Sequence, residues 1–340
     1  MISKGLLFPY YLTLKIRHKL YDKGKKATYS FDTPVICIGN VTVGGTGKTP
    51  MAEYAVRVYS EKYKVAVLSM GYKRKSKGFV VVGENDTAGM VGDEPLQIKR
   101  KFPNITVAVD KNRKRGIDNL LSLPEPPEVI ILDDGFQRRE ILPRKTVFLV
   151  DYNRPIFKDE LLPLGRLRDL PDQIRRARAV VITKCPDFLD EWGCEKMRKL
   201  TRVNPDQEVF FSKIKYCQPK PIFEDYGDSR YIYSKTVYLF TGVANPRPLE
   251  EWLIGQYDAI ANEKFPDHHK FTKGDIRKIS NYAAKNPLSI LLTTEKDAQR
   301  LRHCPFIPES LKVRLFYLPI EVEFISEDYK NRFNQYLLDI

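Results

Sequence analysis

A short apolar run, Val35-Ile36-Cys37-Ile38, leads directly into Gly39-Asn40-Val41-Thr42-Val43-Gly44-Gly45-Thr46-Gly47-Lys48-Thr49-Pro50. No other stretch of the chain restricts its fold so tightly. A β-branched apolar run reads as a buried strand, and Pro50 suits a helix start because its missing N–H would find no partner there. Strand, glycine-rich loop and helix in that order let the backbone wrap so that successive N–H groups, and the positive end of the helix, face an anion.

The ending Gly47-Lys48-Thr49 makes that anion a nucleotide phosphate. A lysine at this place reaches the β- and γ-phosphates and a following hydroxyl serves Mg²⁺, so the segment is a P-loop in which Thr42 stands at the usual first glycine. Thr42, Val43, Gly44, Gly45, Thr46, Gly47, Lys48 and Thr49 are the expected phosphate cradle, with ATP and Mg²⁺ the expected ligands. Beyond the loop, apolar runs at 65–68, 79–82, 105–109, 129–132 and 147–150 alternate with amphipathic segments, and the style repeats at 180–183, 209–211, 237–240 and 290–293. That alternation predicts an α/β fold: a P-loop NTPase-like, mostly parallel sheet with helices on both faces, plus a second, smaller α/β domain. The 340 residues suffice for two lobes. The loop-rich stretch from Asp151 to Pro171 places the expected boundary, giving an N-terminal segment 1–30, a P-loop domain 31–152, a C-terminal α/β domain 153–322 and a closing helix 323–340 that could pack back on the first domain.

A P-loop needs a carboxylate at the end of a buried strand to hold the magnesium shell. Val129-Ile130-Ile131-Leu132-Asp133-Asp134-Gly135 has that form, so Asp133 and Asp134 are candidate metal groups. Gly92-Asp93-Glu94-Pro95 supplies two more carboxylates where acids commonly stabilise a first helical turn, or orient a hydroxyl that attacks phosphate. Two of the four histidines are adjacent, in Phe265-Pro266-Asp267-His268-His269, and Thr294-Glu295-Lys296-Asp297 reads as a capping box.

The N-terminus joins an apolar, aromatic block (Leu6, Leu7, Phe8, Tyr10, Tyr11, Leu12, Leu14) to a cationic one (Lys15, Arg17, Lys19, Lys23, Lys25, Lys26). Two readings stay open from residues alone: an interfacial helix with rings at the headgroup level and lysines on anionic lipid, or a first helix docked on its own domain. No apolar run is long enough to span a bilayer. A formal charge of +14 draws the chain to polyanions in general, and the five scattered cysteines suit a reducing compartment.

Taken together these segments resemble the tetraacyldisaccharide 4′-kinase family, the lipid A 4′-kinases of Gram-negative bacteria. The similarity rests on Leu20-Tyr21-Asp22-Lys23-Gly24, the glycine-rich loop, Gly92-Asp93-Glu94-Pro95, Leu132-Asp133-Asp134-Gly135-Phe136-Gln137, Leu161-Leu162-Pro163 with Arg168-Asp169, Phe265-Pro266-Asp267-His268-His269 and Thr294-Glu295-Lys296-Asp297-Ala298, in that order. The resemblance implies transfer of the ATP γ-phosphate to the 4′-hydroxyl of a tetraacylated glucosamine disaccharide 1-phosphate, at the cytoplasmic face of the inner membrane, by a peripheral protein with a membrane-associated N-terminal helix. It implies Asp93 as base with His268 coupled to it, Lys48 on the phosphates, and Thr49, Glu94, Asp133 and Asp134 around Mg²⁺. Asn40, Arg113, Gln137, Arg168 and Asp169 become candidates for contacts to the substrate headgroup or to ATP. Arg168-Asp169-Leu170 stands where the family more often has Arg-Glu-Pro, and Arg138 where a histidine commonly follows the glutamine. An anionic membrane surface is the expected partner, a monomer the expected state, and nucleic acid is not expected.

Two other classes compete. A P-loop GTPase would need a guanine-reading Asn/Thr-Lys-x-Asp, and Thr183-Lys184-Cys185-Pro186 lacks the aspartate. A nucleic-acid-dependent ATPase has only the positive charge in its favour, since no nucleic-acid module is present.

Overall fold

The computed structural model describes residues 7–340; the first six residues of the expected N-terminal segment lie outside them. Helix α1 spans Phe8–Asp22 and is followed by β1 (Val35–Gly39), α2 (Lys48–Ser60), β2 (Val65–Ser69), β3 (Val80–Val81), α3 (Ala88–Val91) and α4 (Asp93–Lys101). Next come β4 (Thr106–Val109), α5 (Arg113–Leu121), β5 (Val129–Asp133), β6 (Lys145–Asp151), β7 (Ala179–Thr183), α6 (Glu191–Thr201) and β8 (Glu208–Tyr216). The rest of the chain forms β9 (Lys220–Pro221), β10 (Thr236–Thr241), α7 (Arg247–Ile254), β11 (Ala259–Lys264), α8 (Lys273–Lys285), β12 (Ile290–Thr294), α9 (Glu295–Leu301), α10 (Glu309–Lys312), β13 (Leu315–Leu318), β14 (Ile320–Phe324) and α11 (Glu327–Leu338).

Nine strands make one sheet in the order β14-β8-β7-β6-β1-β5-β2-β4-β3, parallel except for the two edge strands. Side chains alternate across it with the period of a strand. Ile36, Ile38, Val147 and Leu149 face α2, α4 and α11, while Cys37, Phe148 and Val150 face the opposite layer that includes Leu14 of α1 and Met197 of α6. Strands buried on both faces need continuous apolar runs, which is why β1, β2, β5 and β7 were readable from sequence. Five strands, β11-β10-β12-β13-β9, make the smaller sheet, with a core that includes Tyr238, Phe240, Ile279 and Leu301.

The division expected after residue 152 falls inside the large sheet. β7 and β8 extend it beyond β6, because their apolar residues complete the layer beneath α1 and α6, and the smaller sheet is built from 220–318. The chain then re-enters the large sheet through β14, paired with β8, and α11 closes against α2, with Tyr59 Oη donating to Leu337 O at 2.5 Å and Tyr54 Oη to Asn334 Oδ1 at 2.7 Å. Both lobes are therefore joined by two adjacent crossings, 216–220 and 318–320.

Candidate active site

In an open parallel sheet the loops at the carboxyl ends of the strands form the binding crevice. Here β1 delivers the glycine-rich loop and its neighbour β5 delivers Asp133 and Asp134. Gly39 is required by closeness: a Cβ there would lie 2.6 Å from Phe136 Cβ and 2.9 Å from Phe136 N. The loop is held from within by buried Asn40, whose Nδ2 donates to Thr42 Oγ1 at 2.9 Å and to Thr46 Oγ1 at 2.5 Å. From outside, Val43 N donates to Arg166 O and Arg168 N to Val41 O, both at 2.8 Å, so the segment 161–168 lies along the loop as a short pairing. Gly47 takes the left-handed conformation, φ +84°, and turns the chain into α2, burying Thr49 in the first turn.

Asp133 is almost fully buried, and its Oδ1 has no hydrogen-bond partner. Burial, with the charges of Glu94 and Asp134 adding to it, pushes its carboxyl up to about 7. Burial acts the same way on Asp134, but Lys48 and Arg168 outweigh it and hold that carboxyl below its ordinary range. Asp134 sits at φ +53°, a conformation uncommon outside glycine and frequent at functional sites. An orphaned buried carboxylate oxygen beside two further carboxylates is a fit for a divalent cation. Mg²⁺ keeps several waters and takes one or two carboxylates plus phosphate oxygens; among the described residues no three His, Cys, Asp or Glu side chains form a ready cage.

The remaining acids come from the start of α4. Gly92, at φ +101°, packs against the Gly71 backbone and turns the chain so that Asp93 and Glu94 occupy the first turn, where the helix dipole favours acids. Both reach across to the smaller lobe. Asp93 Oδ2 lies 2.9 Å from His268 Nδ1 and 3.6 Å from Arg300 Nε, and Glu94 Oε1 accepts from Lys296 Nζ at 2.5 Å. His268 is at φ +61° with its ring against Tyr72 at 5.3 Å. Burial would lower Lys296, yet Glu94 and Asp93 override it and raise its pKa.

Not every expected group is free for a ligand. Arg113 is 2% exposed, and its guanidinium donates to Leu68 O at 3.2 Å, Asp110 O at 3.5 Å and Asp133 O at 2.8 Å. It ties β2 to β5 under the carboxylates instead of contacting a substrate headgroup. Asp169 is likewise buried, with Oδ1 2.6 Å from His18 Nε2 of α1, which removes it from the substrate surface. Glu94, expected among the metal groups, is paired with Lys296 in this structure. Arg168 stays at the site, donating to Asn40 Oδ1 at 2.9 Å and to Asp134. Gln137 Nε2 is buried and unpartnered. Beside the loop a cavity of about 560 Å³ is lined by Arg154, Lys158 and Arg166 among others.

The capping box at Thr294 is present in part: Asp297 N donates to Thr294 Oγ1 at 3.2 Å, while Asp297 Oδ2 accepts from Gly242 N at 3.0 Å. Thr183 Oγ1 donates to Thr46 O at 3.0 Å and so braces the phosphate loop, while Lys184 pairs with Asp151 at 2.7 Å. Sequence reasoning missed His18, Arg139 and Arg300. A lone histidine in a cationic helix and arginines in a basic chain carry no signal of their own.

Of the two readings left open, the docked helix is what the structure describes, with an apolar face left outward. Leu14 and His18 are buried against the large lobe, while Phe8 (61% exposed), Leu12 and Ile16 (51%) point outward. No helix among the described residues is long and apolar enough to cross a membrane.

The model of the family described as tetraacyldisaccharide-1-P 4′-kinase matches residues 5–339. A tetraacyldisaccharide 4′-kinase of Bacteroides thetaiotaomicron is 41% identical over 342 residues, covering 97% of this chain and 90% of the relative. One of Flavobacterium johnsoniae is 41% identical over 334 residues, covering 96% and 94%. The crystal structure of LpxK from Aquifex aeolicus, in complex with ATP, superposes with a TM-score of 0.72 at 27% identity, covering 98% of both chains. A match that spans the glycine-rich loop, the strand-end carboxylates and both sheets places this chain in the tetraacyldisaccharide-1-P 4′-kinase family.

Proposed function

We propose that the chain transfers the γ-phosphate of ATP to the 4′-hydroxyl of a tetraacylated glucosamine disaccharide 1-phosphate, with Asp93 as the base. The observation that carries the residue assignment is the 2.9 Å contact of Asp93 with His268 across the two lobes, at a helix start whose next residue, Glu94, acts by its charge on Asp133 at the end of β5. A carboxylate that accepts the hydroxyl proton must be oriented and must pass that proton on, and His268 Nδ1 is within reach to do both. As the 4′-oxygen bonds to the γ-phosphorus and the bond to the β,γ-bridging oxygen breaks, Lys48 and the N–H groups of 43–49 hold the phosphate charge in place. Mg²⁺, when bound, supplies further charge neutralisation there. Thr49, Asp133 and Asp134 are the groups that would hold it, with Glu94 joining if Lys296 releases it.

All the groups given a role here come from one chain. The outward face of α1, with Phe8, Tyr11, Leu12 and Ile16 beside Lys15 and Lys19, suits a peripheral site on the anionic cytoplasmic face of the inner membrane, where a tetraacylated acceptor resides. Arg154, Lys158 and Arg166 offer cations to a phosphate at the rim of the loop.

The test is transfer of radiolabelled γ-phosphate from ATP to purified tetraacyldisaccharide 1-phosphate in detergent micelles, with Lys48→Ala as control. A labelled lipid that disappears in the variant is expected. Nucleotide binding without any lipid labelling would overturn the acceptor assignment.

A further inference from the structure

Helix α1 is tied to the large lobe by a buried cluster that phosphoryl transfer itself does not use. His18 Nε2 lies 2.6 Å from Asp169 Oδ1, and its Nδ1 lies 3.1 Å from Arg139 NH1. A guanidinium can only donate, so Nδ1 accepts and the ring proton sits on Nε2, where it donates to Asp169. Arg139 also grips the last turn of α1, donating to Asp22 at 2.6 Å and lying over the Tyr21 ring at 5.1 Å. At the other end of the helix, Tyr10 Oη donates to Arg168 O at 2.9 Å.

The residues held this way are consecutive. Asp169 faces back to the helix, whereas Arg168 faces forward: its guanidinium bridges Asn40 of the phosphate loop and Asp134, and its N–H donates to Val41 O at 2.8 Å. Asn40 in turn holds Thr42 and Thr46. Adjacent α-carbons are a fixed ~3.8 Å apart, so a displacement of the Asp169 backbone is passed directly to Arg168. Arg168 is the cation hydrogen-bonded to Asp134, beside which the charge of Lys48 also acts, and hydrogen bonds of that charged kind depend strongly on position.

We propose that His18 is a positioning residue: by seating Asp169 it fixes Arg168 against Asn40 and Asp134, and so couples docking of the apolar helix to the grip of the phosphate loop on nucleotide. The inference deepens the kinase reading of this site and rests on it. It gives α1 a second task besides meeting lipid, since a helix displaced from its seat would loosen the loop that holds ATP.

The experiment measures equilibrium binding of a fluorescent ATP analogue with Mg²⁺ to the full chain, without lipid, for His18→Phe, His18→Gln, Arg168→Met and the double variant His18→Phe/Arg168→Met. Phenylalanine keeps a ring and removes both nitrogens; glutamine keeps one donor and one acceptor. The expected result is binding weakened about tenfold by His18→Phe, the size of one lost charge-assisted contact, largely restored in His18→Gln. The double variant should bind no more weakly than Arg168→Met alone, because the two act through one path. Wild-type binding by His18→Phe, or losses that simply add in the double variant, would overturn the proposal even if the melting temperature fell. Should His18→Phe not fold, Asp169→Asn enters the same cycle and is judged by the same non-additivity. Absence of nucleotide binding by the wild type is a failure of the kinase reading and takes the inference with it. Additive losses with normal wild-type binding are a failure of the inference alone.

Discussion

Lys101 lies between two buried carboxylates, 2.6 Å from Glu53 and 3.2 Å from Glu295, with Glu53 on α2, Lys101 on α4 and Glu295 on α9 of the smaller lobe. One cation shared by two acids cannot hold both equally. Burial and the Glu53 charge push Glu295 up to about 7 despite the lysine, while burial, which would lower Lys101, is outweighed by the two acids. Because the folded-state value for Glu295 exceeds the ordinary 4.5, the folded chain binds an extra proton between pH 4.5 and about 7. Its contribution to stability is complete below pH 4.5 and is lost as pH rises through about 7. From pH 6 to pH 8 this one group should lower stability by about 1 kcal/mol. Equilibrium urea denaturation, followed by circular dichroism and by fluorescence, should therefore give wild type a steeper loss between pH 6 and 8 than Glu295→Gln. Asp133 titrates in the same window but is present in both proteins, so it cancels in the difference. Lys101→Met leaves two acids in a buried site with no cation and should cost about 3–5 kcal/mol at pH 8 and less at pH 6, where Glu295 takes up a proton. A Lys101→Met penalty under about 1 kcal/mol at pH 8, or an unchanged slope in Glu295→Gln, would refute the reasoning.

Further outcomes follow from the same geometry. Asp93→Asn should lower kcat by about 10²- to 10⁴-fold while ATP affinity is largely kept, since the base acts on the acceptor; lost ATP affinity with normal single-turnover chemistry would contradict that role. Arg113→Met should reduce stability by about 2–4 kcal/mol, because three backbone carbonyls lose a donor, without raising KM for the lipid in the fraction that remains folded. Leu12→Gln combined with Ile16→Gln should weaken co-sedimentation with anionic vesicles while leaving the melting temperature within a degree or two, as both side chains point outward. Gly39→Ala forces a new Cβ to within 2.6 Å of Phe136 Cβ and should lower stability by about 1–3 kcal/mol, measured by thermal melting.

Local chemistry made much of the site legible. The loop from Gly39 to Pro50 specifies its own conformation through glycine and proline, and a strand that ends in Asp133-Asp134 specifies its own burial through four apolar residues. Contacts between distant segments left no such trace. Arg113 resembles any basic residue at a helix start, and only the spacing of β2 and β5 turns its guanidinium onto three carbonyls. Asp169 likewise reads as a loop acid until α1 lays His18 against it, 151 residues away in the chain.

The amino-acid sequence by itself determined the elements and the chemistry: periodic apolar runs choose strand or helix, and the glycine-rich loop chooses an anion, because those preferences act over a few neighbouring residues. Tertiary structure alone decided which strands share a sheet, so that β7, β8 and β14 joined the large one, and which further charged groups meet across the lobes, as Glu94 does Lys296 and Lys101 does Glu295. The physical reason is range. Backbone preference is local, whereas burial and charge pairing depend on which surfaces the whole chain brings together.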